Sequence, residues 1–280
     1  MSNYIIINLC AGLGNRLFQF AVAYAYSKKH NKKLIFQNTD KVIYNSHSNM
    51  NYNIIFFNDI ERITFNNNEQ INKYNELSYC HYEEIEYIDG NIMLCGYYQT
   101  EKYFNDFKDD IFRRYSCKIP ISKFENKYKY INNACFIHIR RGDYLNSKYD
   151  IGLIKKGYYD KCILDMENKY KDNDNNNDIH FYIISNDNNW CKTSLLFNKD
   201  NMHNMHNMHI VEANELESLW LMQLCKYGGI CANSTYSWWG GWLNKYHNKD
   251  SLIYFPNRIT TDNLDYTDMY ADGFTIINID

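Results

Sequence analysis

Short apolar runs alternate with helical stretches along most of the chain. Residues 4–9, 34–36, 92–95, 135–139, 180–184, 208–211, 229–232 and 251–255 are each three to six residues long and rich in β-branched and aromatic side chains. Runs of that length bounded by polar residues predict buried strands. Helices are predicted over 16–30, 103–115, 157–170 and 215–226, with another opening at 233. In the first, apolar residues at 17, 18, 20, 21, 22, 24 and 25 cover much of the circumference, as in a helix packed between a sheet and its neighbours. In the second, Asp106, Asp109 and Asp110 come early and Arg113 and Arg114 late, which complements the helix dipole. Pro120 ends that region, and Ser122 is expected to cap a helix running to about Asn132. Residues 40–90 mix aromatic and polar groups with many asparagines and predict only loops with short helices and strands. The last strand is expected over Phe274–Ile279.

From Ala134 onward the β-α alternation is regular, so the fold class is α/β with parallel sheets. A chain of 280 residues fits one large or two medium α/β domains, and the pattern divides it at 133/134.

The chemistry gathers where strands end. The run Cys135–Ile139 stops in Arg140 and Arg141, followed by Gly142 and Asp143. Two fixed cations at a strand end are costly unless they meet an anion, and the planar guanidinium suits phosphate. Ligands of open α/β sheets bind beyond the carboxyl ends of strands, where these groups sit. The plainer alternative is a surface Arg–Asp pair. At the first strand, Gly12 and Gly14 bracket a turn into a helix, a layout that presents backbone N–H groups to an anion. A turn that simply needs glycine is the alternative, with Asn15 and Arg16 favouring a polar role. Two further strands end in Ser185-Asn186-Asp187 and in Asn233-Ser234-Thr235-Tyr236-Ser237, where Ser and Thr are good helix caps. For Trp238, Trp239 and Trp242 the expectation is core packing.

The net charge of −3 gives no basic bias, and nothing argues for a nucleic-acid partner. Heavy use of Asn, Ile, Lys and Tyr with only two prolines reads as genome bias towards A and T. Cysteines at 10, 80, 95, 117, 135, 162, 191, 225 and 231 form no C-x-x-C pair and are expected to be free thiols of a reducing compartment. No run reaches the ~20 apolar residues of a membrane span, and the N-terminus lacks a signal-peptide pattern. The expected location is cytoplasmic. Asp172 and Asp174 form a D-x-D, but in a polar tract with no strand before it, and no metal site is assigned there. His203, His206 and His209 lie in an NMH repeat that reads as slippage in a surface loop, against the alternative of a soft-metal site.

The segments GLGNRLFQFA (12–21), HIRRGDY (138–144), SND (185–187) and NSTYSWWGGWL (233–243) together resemble glycosyltransferase family 11, the α-1,2-fucosyltransferases. The resemblance spans both halves. It implies a GT-B-like fold, two Rossmann-like domains facing across a cleft, with residues 1–133 on the acceptor side and 134–280 binding a nucleotide sugar. It implies GDP-β-L-fucose as donor substrate, a glycan acceptor, inversion at the sugar, and neither cofactor nor obligatory metal. Without a cation, a departing diphosphate needs arginine and N–H donors for its growing charge. The residues expected to act are Arg140, Arg141 and Asp143, with Arg140 on the β-phosphate and Asp143 orienting the arginines. Donor binding is expected from Gly14, Asn15, Arg16, His138, Arg140, Asp187, Asn233, Ser234, Thr235 and Ser237. Asp187 is the candidate for the guanine N–H groups and His138 for ribose or phosphate. A proton acceptor for the attacking hydroxyl is not named by any motif. Competing readings are another deoxysugar carried on UDP or dTDP, and a non-catalytic sugar- or nucleotide-binding protein. A dinucleotide oxidoreductase is disfavoured, since Leu17 occupies the third glycine of G-x-G-x-x-G.

Overall fold

The computed structural model describes residues 3–37, 55–65, 70–146, 155–170, 179–194, 207–261 and 264–279. The chain forms two compact units: Met1–Tyr115 with Asp265–Ala271, and Ser116–Leu264 with Asp272–Asp280.

In unit 1 the strands are β1 (Tyr4–Ile7), β2 (Lys33–Gln37), β3 (Glu61–Ile63), β4 (Ile71–Asn75) and β5 (Asn91–Cys95). They form one parallel sheet in the order β3-β2-β1-β5-β4. The apolar Ile5–Ile7 is buried at its centre. Helix α1 (Leu13–Lys29) follows β1 and buries most of its length, as its all-round apolar pattern requires. The chain runs from β1 to one side of the sheet, while β5 flanks the other side. The ends of β1 and β5 therefore meet where the strand order reverses.

The turn into α1 is not built on glycine conformations. Gly12 sits at the N-cap in extended geometry (φ −73°, ψ 171°), and the left-handed residue is Ala11 at φ 61°. That placement strains a residue with a Cβ by about 1–2 kcal/mol. The helix expected over 103–115 is split: a 3₁₀ turn covers Glu101–Phe107, broken at Phe104, and helix α2 spans Lys108–Tyr115.

Residues 116–133 pack with unit 2 and not with the half assigned to them from the 133/134 division. Helix α3 (Ile121–Lys127) starts from Pro120 at the N-cap and ends well short of Asn132, so Ser122 lies inside it and does not cap it. Its neighbour Tyr128 donates to Glu217, and Cys117 N–H donates to Gln223.

The other strands of unit 2 and their helices follow in order: β6 (Ala134–Ile139), α4 (Lys156–Tyr170), β7 (His180–Ser185), α5 (Asn188–Thr193), β8 (Met208–Ile210), α6 (Glu215–Leu224), β9 (Gly228–Ile230), α7 (Thr235–His247), β10 (Leu252–Pro256) and β11 (Phe274–Ile277). The six strands make one parallel sheet, β11-β10-β9-β6-β7-β8. Every residue of β6 is buried. Beside it, Gly229 leaves room for the Phe136 ring: a Cβ at 229 would lie 2.3 Å from that ring. From β6 the chain fills one side of the sheet and then returns to β9 on the other. The carboxyl ends of β6 and β9 thus adjoin at a reversal of strand order, the place where open α/β sheets bind ligands.

Trp238, Trp239 and Trp242 are buried and pack against one another on α7, as expected for core residues. All nine cysteines are free. No helix among the described residues is long and apolar enough to cross a membrane.

Candidate active site

The register of the unit 2 sheet places its key side chains. Ile139 pairs with Ser185, so the next residues, Arg140 and Asn186, leave the sheet side by side. Arg140 Nη2 donates to Asp143 Oδ2 at 2.8 Å. Asp143 Oδ1 accepts from Asn186 Nδ2 at 3.0 Å, and Asn186 Oδ1 accepts from the Arg141 N–H at 2.9 Å. One amide side chain thus braces both the carboxylate that orients Arg140 and the backbone of Arg141. Arg141 Nε lies 3.3 Å from Asp187 Oδ2 without hydrogen-bond alignment, and its guanidinium stacks on Trp190, 4.3 Å from the ring centroid.

Nε of both arginines is buried without a hydrogen-bond partner. Partly exposed Arg–carboxylate pairs contribute at most about 1 kcal/mol, while a buried donor left unmade costs about 1–3 kcal/mol. Stability alone does not account for this pair. Two guanidinium groups where the strand order reverses give this end of the sheet a positive charge of the kind that suits an anion.

Tyr144 ties this loop to the next one. Its hydroxyl donates to the Asn233 carbonyl at 3.1 Å, and its ring lies 5.6 Å from the Arg140 guanidinium. Burial raises its pKa. Asn233 Nδ2 donates to the Ile259 carbonyl at 2.8 Å and is itself buried. Ser234 is the N-cap residue of α7 but makes no side-chain cap bond. Ser237 turns inward, its Oγ accepting from the Ala232 N–H at 2.8 Å. Of this group Thr235, in the first turn of α7, keeps partial exposure.

His138 is buried on β6, 5.2 Å from the Tyr236 ring, with no partner for Nδ1. Burial first, and the Arg140 charge second, lower its pKa to about 3. It is a neutral group at physiological pH, able to hydrogen-bond but not to act as a cation or proton donor. Asp187 caps α5, its Oδ1 accepting from Trp190 N–H at 3.1 Å, while Oδ2 faces Arg141.

Gly14, Asn15 and Arg16 belong to unit 1, at the reversal between β1 and β5. Arg16 is buried, and its Nε donates to the strained Ala11 carbonyl at 2.8 Å. Asn15 Oδ1 accepts from Gln99 Nε2 at 2.9 Å. Gln19 joins the two strand ends, donating to the Gly96 carbonyl at 3.0 Å and accepting from the Cys10 N–H at 2.9 Å. Gly14 is buried in the first turn of α1.

Asn186, Tyr144 and Trp190 were not among the residues predicted for the site. Asn186 and Tyr144 stand inside the segments SND and HIRRGDY, so their proximity was readable. Gln99 and Glu76 in unit 1 carry no motif signal. Among the described residues, no group of three His, Cys, Asp or Glu side chains is placed to hold a metal ion. Asp172, Asp174, His203 and His206 lie outside the described residues. His209 faces His180 across a 3.0 Å N···N contact, with Tyr130 stacked on both rings.

Comparison with known proteins bears on the family and the fold. The α-1,2-colitosyltransferase of Escherichia coli is 28% identical over 276 residues, covering 86% of this chain and 88% of that protein. The O-antigen biosynthesis glycosyltransferase WbnK of Escherichia coli is 33% identical over 134 residues, 45% of this chain and 39% of the other. Among solved structures, the fucosyltransferase NodZ from Bradyrhizobium matches the fold with a TM-score of 0.51 at 12% identity, over 86% of this chain and 92% of NodZ. A NodZ α-1,6-fucosyltransferase co-crystallized with GDP matches with a TM-score of 0.50 at 11% identity, over 86% and 92%. The fold is therefore GT-B-like, with two parallel-sheet α/β units. The family model described as "Glycosyl transferase family 11" matches residues 3–262, nearly the whole chain. With its paired arginines at the strand-order reversal, this chain belongs to glycosyl transferase family 11 and is a glycosyltransferase.

Proposed function

We propose that the enzyme transfers L-fucose from GDP-β-L-fucose to a galactoside hydroxyl, forming an α-1,2 linkage with inversion. The observation that carries this reading is the Arg140–Asp143–Asn186–Arg141 brace at the unit 2 reversal, which aims two guanidinium groups at the strand ends. Such groups stabilise the charge that grows on a diphosphate as the sugar departs. Arg140 would hold the β-phosphate, Thr235 and the start of α7 would face the phosphates, and Asp143 would orient Arg140. The GDP complex of a NodZ neighbour supports a guanine nucleotide. Asp187, which already caps α5 and faces Arg141, would use its remaining lone pairs for the guanine N–H groups.

A second reading keeps the chemistry and changes the sugar. A relative named as an α-1,2-colitosyltransferase supports α-1,2 geometry and favours colitose as the alternative group transferred.

The test is a melting-temperature panel with GDP, UDP and dTDP, followed by mass spectrometry of products from GDP-fucose and lactose. GDP is expected to raise the melting temperature most, because ligand binding to the native state adds RT ln(1 + [L]/Kd). The expected product carries one added deoxyhexose on galactose O2. A larger shift with UDP or dTDP would replace the donor. Absence of both transfer and donor hydrolysis in the presence of a nucleotide shift would leave a binding protein instead.

A further inference from the structure

The carboxyl ends of β4 and β5 carry a cluster that no motif marks. Glu76 directly follows β4, and its N–H donates to the Cys95 carbonyl at 2.9 Å. Its half-buried carboxylate accepts from Tyr97 N–H at 2.7 Å and from Tyr98 N–H at 2.9 Å. Those two bonds set the loop after β5. Tyr98 is held left-handed at φ 54°, and its ring is driven into the core at 1% exposure, edge-on to Tyr103. Its neighbour Tyr97 is thereby turned outward, 37% exposed, with its ring 6.5 Å from Tyr79 in an edge contact. Leu77, in the same turn as Glu76, is 71% exposed.

A strained residue at a strand end marks a site where the surrounding structure overrides local preference. Its outcome here is an outward tyrosine beside a carboxylate. Glu76 has no Lys or Arg partner among the described residues, and burial raises its pKa despite the two N–H bonds. An unneutralised carboxylate repels phosphate and still has lone pairs for hydroxyl donors. A tyrosine face offers apolar area to the C–H face of a pyranose. An uncharged sugar satisfies both features, and a nucleotide phosphate satisfies neither.

We infer that Tyr97 and Tyr79, beside Glu76, form the acceptor subsite of this transferase and that its ligand is a neutral glycoside. The inference deepens the proposed function and rests on it for the word acceptor. The glycoside-binding surface itself stands on the geometry of unit 1 alone.

The experiment has two readouts. Ligand-observed saturation-transfer NMR with lactose, methyl galactoside and methyl glucoside measures sugar binding without any donor. Steady-state kinetics with GDP-fucose and lactose measures transfer. Tyr97→Ala is expected to abolish saturation transfer from at least one glycoside and to raise the acceptor KM about tenfold or more. It should leave the GDP-induced melting shift unchanged, and Tyr97→Phe should stay within about twofold of wild type. If no glycoside signal depends on Tyr97, or if Tyr97→Ala instead weakens GDP, the subsite is wrong. A wild-type protein that binds glycosides through Tyr97 but transfers nothing from GDP-fucose would keep the subsite and overturn the proposed reaction.

Discussion

The two sheets reverse their strand order in the same manner but equip their strand ends with different chemistry. In unit 2 the ends of β6 and β9 carry Arg140 and Arg141, with Asp143, Asn186 and Asp187 spent on aiming them. In unit 1 the β1–β5 reversal carries the amides of Asn15, Gln19 and Gln99 with one buried arginine, Arg16, and the neighbouring ends of β4 and β5 carry tyrosines and the carboxylate of Glu76, which has no basic partner among the described residues. Backbone topology thus supplies a location in each unit, and only the side chains decide what is taken there. Under the proposed reading the arginines after β6 hold the anionic leaving group, and the tyrosines beside β4 and β5 hold the uncharged nucleophile.

The strongest attempt to break this contrast is Arg140→Ala. Transfer should fall by about 10²–10³-fold while the circular dichroism spectrum is retained, since the charge it removes acts on the transition state. Near-wild-type turnover in a folded variant would end the assignment of unit 2.

Next in size is an acid effect on stability, which asks whether the charge in unit 2 is permanent. His138 titrates near 3 in the native state, against its ordinary 6.5 when unfolded. Between those values the unfolded chain binds the extra proton, so stability present above about pH 6.5 is lost as pH falls towards 3, by up to a few kcal/mol. Melting temperatures at pH 7 and pH 4 should separate wild type from His138→Gln, the variant showing the shallower loss. Equal slopes would mean the imidazole is not held neutral by burial.

Smaller again is the effect of the brace. Asn186→Ala removes two hydrogen bonds to the arginine loop but no charge, and about a tenfold weaker GDP affinity is expected by calorimetry. Restoration by Asn186→Asp is not expected, because a carboxylate cannot donate to Asp143. An unchanged affinity would show that Asp143 orients Arg140 without help.

The contrast also explains what could be read from the chain. Unit 2 follows a regular apolar rhythm, and its arginines stand in one unbroken segment with the strand that aims them, so the sheet and the place of the arginine pair at its end were both legible. Unit 1 is harder because β4, Ile71–Asn75, is a partly exposed edge with little apolar content. Glu76 and Tyr97 meet only through β4–β5 pairing, which spacing does not reveal. Ala11 shows another limit: two nearby glycines suggested where the turn would bend, yet a residue before them adopts the left-handed geometry because Arg16 and the β1 end hold it. Side chains from motif segments also have structural duties that the sequence does not reveal, as the inward Ser237 and the capping Asp187 show.

The short stretch Asp265–Ala271 joins unit 1 although it follows nearly all of unit 2 in the chain. There Asp268 accepts from the Tyr82 N–H at 2.8 Å and pairs with Lys102. A ribosome releases residues from the amino end, so unit 1 begins to emerge first yet is completed only after residues 116–264 of unit 2 have been made. Its nascent form must wait, with the Tyr82 amide and Lys102 unclasped, until the second unit has almost left the exit tunnel.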